Sequence, residues 1–301
     1  MSSLVVALPN DLSLAGEIGK KGSQNGITFY DRKMGEEAIV VLTPSDVAAK
    51  FYAIGEIMSI ADMVVISTAS VDALLGESII AASMLGKKTV FTKDNDISSI
   101  LKSVAPKEYE LVDRKEVLGR LMEFRRDASQ SSGELRIDTD KAFPVKGVGT
   151  VILGIVRSGK VKVHDTLHSS SGKEILVRSI QVHDDDSQEA ESGERVGLAV
   201  KGVDHTEMEK GDILSKDMKP YVSALTADIR KSPLARDVEM DGMNCTLISG
   251  FSVISCKVSK KESMFSVKLD KPTALWKNDG FILIRDKAPR VIAAGTVVEL
   301  G

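Results

Sequence analysis

Apolar positions in the first 126 residues alternate between short unbroken runs and stripes spaced by three and four. The runs are Leu4–Leu8, Ile39–Leu42, Met63–Ile66 and Thr89–Thr92, and they predict strands buried on both faces of a parallel sheet. Val47, Phe51, Ile54 and Met58 make one apolar stripe and predict a helix. Its start is expected at Thr43-Pro44-Ser45-Asp46, with a capping hydroxyl, proline at the first helical position and an acid beyond. A second helix is predicted from about Val71 to Leu85, closed by Gly86 with Lys87 and Lys88 behind it. Further helices are predicted near Ile97–Val104 and Lys115–Arg126, and the interleaving of helix and strand predicts a doubly wound parallel sheet.

The segment Asp127 to Gly133 is small and polar, which predicts a linker. From Glu134 onward helical periodicity fades, β-branched residues accumulate and glycines close short runs. Val151–Val156, Glu174–Val182, Arg195–Val200, Phe251–Val258, Met264–Leu269 and Phe281–Ile284 predict strands. This half is expected to form two small β-barrels of about eighty residues each. The expected organisation is an α/β domain over residues 1–126, a linker over 127–133, and barrels over 134–216 and 217–301.

Composition narrows the partners more than the fold. Hydrophobic content of 43% and charged content of 28% are ordinary for a globular protein. No apolar run reaches the roughly 18 residues needed to span a bilayer. The first residues show no signal-peptide pattern, so a cytoplasmic location with no membrane partner is expected. Cys245 and Cys256 lack a disulfide framework or zinc spacing and are expected as free, buried thiols. A net charge of −3 argues against a strongly basic nucleic-acid binder, and no DNA partner is expected. The balance is uneven: Lys219 to Gly301 holds 13 Lys and Arg against 9 Asp and Glu, a mildly basic third suited to RNA phosphate.

The chemistry expected of a nucleotide-binding α/β sheet is missing from its first loop. A phosphate site there needs glycines, then a lysine and a hydroxyl opening a helix. After the first strand the chain instead reads Pro9-Asn10-Asp11-Leu12-Ser13-Leu14-Ala15, with no lysine before Lys20. Proline removes a donor, and Asp11 puts negative charge where an anion would sit. The strand ends, where a ligand would lie, supply Pro9, Thr43, Ser67-Thr68 and Thr92-Lys93. Thr43-Pro44-Ser45-Asp46 stands where an aspartate and a glycine three residues on would engage magnesium and the γ-phosphate. Thr92-Lys93-Asp94-Asn95 stands where a guanine pocket wants Asn-Lys-x-Asp, with Asn95 in place of the carboxylate. Thr92, Lys93 and Asn95 are therefore remnants at most, and no nucleotide cofactor is expected. His164 and His168 sit four apart without a helix to align them, so no metal site is expected. His183-Asp184-Asp185-Asp186 is expected as a solvated hairpin turn, not a calcium loop. No catalytic constellation emerges.

The most specific stretch is Arg136-Ile137-Asp138-Thr139-Asp140-Lys141-Ala142-Phe143-Pro144-Val145-Lys146-Gly147-Val148-Gly149-Thr150-Val151-Ile152-Leu153-Gly154. Arg178-Ser179-Ile180-Gln181, Ser192-Gly193-Glu194-Arg195-Val196-Gly197-Leu198, Lys201-Gly202-Val203 and Lys210-Gly211-Asp212-Ile213-Leu214 follow. In this order they resemble the second domain of translational GTPases of the EF-Tu and elongation factor 1-alpha type, nearest the selenocysteine-specific (SelB) branch. Leu269-Asp270-Lys271-Pro272-Thr273-Ala274, Gly280-Phe281-Ile282-Leu283-Ile284-Arg285 and Arg290-Val291-Ile292-Ala293-Ala294-Gly295 are similar to that family's closing barrel. In the first domain the likeness rests on strand and helix order and on runs such as Gly76-Glu77-Ser78-Ile79-Ile80. It looks most like the archaeal SelB-like group, whose G domain has drifted from the GTPase motifs. The expected fold class is α/β plus all-β: a truncated, doubly wound, P-loop-like G domain followed by two antiparallel β-barrels like EF-Tu domains 2 and 3.

The resemblance implies RNA as partner, because in the family these two barrels grip an aminoacyl-tRNA and the first also docks on the ribosome. Such contact is largely to backbone. The candidates are Lys146 and Arg157 in the first barrel and Lys257, Lys260 and Lys261 in the second. Arg195 is expected to hold the turn at Gly193 instead. The family's GTPase activity does not carry over, because all three nucleotide motifs are damaged, so no enzymatic activity is expected. Two alternatives stay open. The fold serves as a scaffold for a protein partner without RNA, or GTP binds through an unorthodox loop using Lys93 and the hydroxyl-bearing strand ends.

Overall fold

A computed structural model of the chain describes residues 2–35, 37–45, 51–124, 133–219 and 221–301. The chain divides into two compact units. One combines Met1–Leu4, Asp31–Val40 and Arg125–Tyr221, and the other Val5–Tyr30, Val41–Phe124 and Val222–Gly301. Among the described residues no helix is long and apolar enough to cross a membrane.

The N-terminal sheet has seven strands: β1 (Ser2–Ala7), β2 (Lys20–Asn25), β3 (Ile27–Met34), β4 (Glu37–Pro44), β5 (Met63–Ile66), β6 (Lys88–Thr92) and β7 (Tyr109–Val112). Their order is β2-β3-β4-β1-β5-β6-β7, with β1, β5, β6 and β7 parallel. Val6 faces Met63, Val65 faces Val90 and Phe91 faces Leu111. The described helices are α1 (Leu12–Ile18), α2 (Phe51–Ile60), α3 (Ala73–Met84), α4 (Ser98–Val104) and α5 (Val117–Glu123). The unbroken apolar runs are buried, β5 along its whole length, as parallel strands require.

Two features depart from the expected pattern. Thr43 and Pro44 are the last residues of β4, not the opening of a helix. The N–H of Ser45 donates to the Gly26 carbonyl at 3.0 Å, and the Ser45 and Thr28 hydroxyls meet at 3.0 Å, which keeps the chain extended there. Asp46, Val47 and the linker segment 127–132 lie outside the described residues, as do Arg125 and Arg126. The second departure is β2, which is exposed along nearly its whole length and carries no apolar alternation. It is a strand because β3 offers it an edge, reached through a one-residue turn at Gly26 with φ of 72°.

Asp72 caps α3 by accepting from the Leu75 N–H at 2.9 Å, and Gly86 ends it with φ of 65°. The Lys87 ammonium reaches a neighbouring helix. It donates to the Ala61 carbonyl at 2.6 Å, at the carboxyl end of α2.

The first barrel comprises β8 (Arg136–Val145), β9 (Gly149–Ser158), β11 (Thr166–Ser169), β12 (Glu174–Val182), β15 (Arg195–Lys201) and β16 (Ile213–Ser215). The order β11-β16-β8-β9-β15-β12 closes through a β11–β12 ladder. β13 (Asp185–Ser187) extends it beside β12, while β10 (Lys160–Lys162) pairs with β14 (Glu189–Glu191). Ile137, Ile152, Val177 and Leu198 lie in its core. Gly154 is needed because a Cβ there would lie 2.7 Å from the Asp138 carbonyl oxygen.

The second barrel is β17 (Val222–Lys231), β18 (Met243–Ser249), β19 (Ser252–Lys261), β20 (Met264–Thr273), β21 (Gly280–Ile284) and β22 (Val291–Leu300), closed as β17-β20-β19-β18-β21-β22. Ile254, Cys256 and Val258 of β19 are buried, while Val253, Ser255 and Lys257 are exposed, the alternation of a barrel wall. In this unit α2 and α3 pack on the barrel. Glu77 accepts from the N–H groups of Arg290 (2.8 Å) and Val291 (3.3 Å), and the Arg290 guanidinium lies 5.6 Å from the Phe51 ring. Gly55 brings α2 close: a Cβ there would sit 2.7 Å from Ile248 Cδ1.

Candidate functional site

The carboxyl ends of β1, β5 and β6 converge on a crevice whose polar groups bind one another. Leu8-Pro9-Asn10-Asp11 passes directly from β1 into α1. Asp11 Oδ1 accepts from the Leu14 N–H at 2.8 Å, and Arg114 Nη1 donates to Asp11 Oδ2 at 2.6 Å. The helix terminus that an anion would occupy therefore holds the chain's own carboxylate. Burial pushes the Asp11 carboxyl up, but the hydrogen bonds from Arg114 and the Leu14 N–H outweigh it and hold the group below the usual carboxylate range. Asn10 ties β1 to β5, donating to the Ser67 carbonyl at 2.7 Å and accepting from its N–H at 3.1 Å.

The residues after β6 are similarly engaged. Thr92 Oγ1 accepts from the Thr68 N–H at 2.8 Å, while Thr68 Oγ1 accepts from the N–H groups of Asp94 and Asn95. Asn95 Nδ2 donates to the Thr68 carbonyl at 2.8 Å. Lys93 is exposed, without a partner among the described residues, and lines a cavity of about 570 Å³ with Lys102, Tyr109 and Leu111.

In the first barrel Lys146 is exposed in the turn between β8 and β9. Arg157 is held instead by the buried Asp138, at 3.1 Å, which also accepts from Arg136 Nε at 2.6 Å. Two further cations were not singled out by the sequence reading. Arg178 donates to the Val148 carbonyl at 3.0 Å within the turn that carries Lys146, and Lys201 stands opposite Leu176 in the β12–β15 ladder. They lie 30 or more residues away in sequence, and only barrel closure brings them to that end. Asp140 is buried with no hydrogen-bond partner on either carboxylate oxygen among the described residues, and burial pushes its carboxyl up against the pull of Lys210, Arg195 and Lys141.

The histidine turn forms where expected, with His183 and Asp184 at φ of 51° and 66°. It is not solvated at His183, whose side chain is 5% exposed with Nδ1 3.6 Å from Asp31 Oδ1. The hairpin is shielded because β3 reaches it: Arg195 Nη1 bonds Asp31 Oδ2 at 3.2 Å, and Lys33 pairs with Asp185. Arg195 is thereby tied to β3. Among the described residues no group of three or more His, Cys, Asp or Glu side chains is placed to hold a metal.

In the second barrel Lys257, Lys260 and Lys261 are all exposed on β19, but they do not share one face. Lys257 and Lys261 point outward. Lys260 is out of phase, and its N–H donates to Asp241 Oδ1 at 2.8 Å, which brings an acid beside it. Lys257 stands directly opposite Lys268 of β20 on one side and Asn244 of β18 on the other. Lys257, Lys261 and Lys268 have no ion-pair partner among the described residues. Like charges directly opposite in a ladder repel.

Comparison with known proteins agrees with this architecture. The model for Elongation factor Tu domain 2 matches residues 149–215. An uncharacterized protein of Methanocaldococcus jannaschii, MJ0325, is 30% identical over 98% of this chain and 99% of its own length. The selenocysteine-specific elongation factor of Haemophilus influenzae is 28% identical over 55% of this chain, a match that spans 28% of that factor. The elongation factor SelB of Methanococcus maripaludis, solved in complex with the GTP analogue GppNHp, superposes with a TM-score of 0.82 at 20% identity, over all of this chain and 80% of that one. The chain belongs to one family with MJ0325, and its residues 149–215 form an Elongation factor Tu domain 2. The domain 2 match begins at the first residue of β9 and ends with β16, so Arg157, Arg178 and Lys201 fall inside it and Lys146 just before it.

Proposed function

We propose that this elongation-factor-like chain binds structured RNA, tRNA or ribosomal RNA, through its barrels, and does so without GTP binding or hydrolysis. The observation that carries the RNA reading is the cross-strand pair Lys257 and Lys268. Two unpaired ammonium groups set side by side on an outer barrel wall cost stability in the free protein, and a phosphate backbone offsets that repulsion. Independence from nucleotide is supported by Asp11, whose carboxylate and Arg114 partner stand where a phosphate would have to lie. Without a γ-phosphate to order a switch, the chain acts as a fixed binder rather than a cycling carrier.

The test is equilibrium binding of labelled aminoacyl-tRNA to the full chain at two salt concentrations, with and without GTP and magnesium. Salt-sensitive binding indifferent to GTP is the expected result. Binding that requires GTP would overturn the nucleotide half of the proposal. No binding at low salt would overturn the RNA half and leave a scaffold for protein contacts.

A further inference from the structure

Cys245 on β18 and Cys256 on β19 are direct partners across the ladder, and both belong to the core of the second barrel. Both are free thiols, and their sulfurs lie 3.7 Å apart. A disulfide requires about 2.05 Å between sulfurs. The strands already hold the two backbones side by side, so the remaining approach falls to rotation about the Cα–Cβ bonds. The barrel contains no other cysteine, and neither thiol is required by the crevice or by the lysine-bearing face.

From this geometry we propose that Cys245 and Cys256 form a reversible intramolecular disulfide on reaction with a hydroperoxide. The order of attack follows from the surroundings. Cys245 keeps 8% of its surface and Cys256 2%, so the small oxidant meets Cys245 first. The hydrogen bond from Cys256 holds the Cys245 thiol below its ordinary value, whereas donating that bond and being buried push the Cys256 thiol up. The Cys245 sulfur attacks one oxygen of hydrogen peroxide, the O–O bond breaks, and the leaving hydroxide takes up the thiol proton as water. Cys245 is then a sulfenic acid. The Cys256 sulfur attacks the Cys245 sulfur, the S–O bond breaks, and the hydroxyl leaves with the Cys256 proton as a second water. Two thiols and one peroxide thus give one disulfide and two waters, a two-electron exchange. A dithiol reductant reverses it by thiol–disulfide exchange.

Asn244 precedes Cys245 and Lys257 follows Cys256, so the bond would tie β18 to β19 next to Lys257 of the lysine pair. That consequence rests on the RNA reading; the thiol chemistry does not.

The experiment exposes the folded full chain to millimolar hydrogen peroxide, then denatures it, alkylates with N-ethylmaleimide and records the intact mass. Alkylatable thiols are expected to fall from two per chain to none with loss of two hydrogens, and dithiothreitol should restore both. The Cys256→Ala chain, checked for a cooperative melt, should stop at a Cys245 sulfenic acid that dimedone traps. If that variant does not fold, the wild-type time course still decides. Retention of both thiols under conditions that oxidise exposed methionines overturns the proposal. So does a gain of oxygen at each cysteine without loss of two hydrogens, or crosslinking only between chains. Measuring tRNA binding in both redox states separates the two ideas, since a disulfide in a chain that binds no RNA overturns the RNA reading alone.

Discussion

Asp11 shows how one residue can cap a helix and hold a distant cation at once. It caps α1 and pairs with Arg114, and only 11% of its side chain is exposed. Asp11→Ala is expected to cost about 1–2 kcal/mol in denaturant unfolding, chiefly from the lost cap. Because the folded carboxyl lies below its ordinary value of 3.8, the charged form is the one that folding favours. The wild-type advantage is therefore complete above that value and lost as pH falls through the depressed folded one, which acid titration of both chains will check. Gly154 carries a second residue-scale prediction. With the Asp138 carbonyl 2.7 Å from any added Cβ, Gly154→Ala should destabilise the first barrel by about 1–3 kcal/mol, read as a lower midpoint at unchanged m-value. Both residues were visible in the sequence, Asp11 as a charge in the wrong place for phosphate and Gly154 as a barrel glycine. Their partners were not, because Arg114 is 103 positions away. His183 erred in the opposite direction. Its local sequence marked a turn, and only the arrival of β3 buried it.

At the scale of elements, periodicity was readable where burial was regular. The run Met63–Ile66 is β5 without adjustment, and the Ile254-Cys256-Val258 alternation marks the inner wall of β19. Short or exposed strands left no such trace: β2 is polar throughout, and β10, β13 and β14 have three residues each. Thr43-Pro44 carried a helix signal that lost to the ladder, since Ser45 is bound back to Gly26 and Thr28. The attachment of α3 to the second barrel depends on Glu77, which satisfies two backbone donors on β22 and the residue before it. Glu77→Ala leaves those donors unpaired and should cost about 1–3 kcal/mol. Faster amide exchange at Arg290 and Val291 would accompany the loss and distinguish it from a general softening. For the outer wall, Lys257→Ala with Lys268→Ala should reduce the slope of log affinity for tRNA against log salt by about 1–2. The Lys260→Ala chain should change that slope less, since Asp241 lies beside Lys260.

For the molecule as a whole, the nucleotide question has a direct thermal test. Millimolar GTP with magnesium should leave the melting temperature unchanged, whereas a site with a dissociation constant a hundredfold lower would add about 2.7 kcal/mol and raise it. The amino-acid sequence by itself determined the division into an α/β part and two barrels, because a period of two and a period of 3.6 are local properties of the chain. It also determined the resemblance to elongation factors, through the order of glycine-bearing motifs, and the glycine-free run Pro9 to Ala15 after the first strand. Tertiary structure alone decided which cations are free and which are spent. Lys257 and Lys268 face each other, and Arg157 turns to Asp138, because strand register brings distant residues together. Register also set two thiols 3.7 Å apart. Those outcomes depend on which strand lies beside which, and no local pattern of hydrophobic and polar positions encodes that.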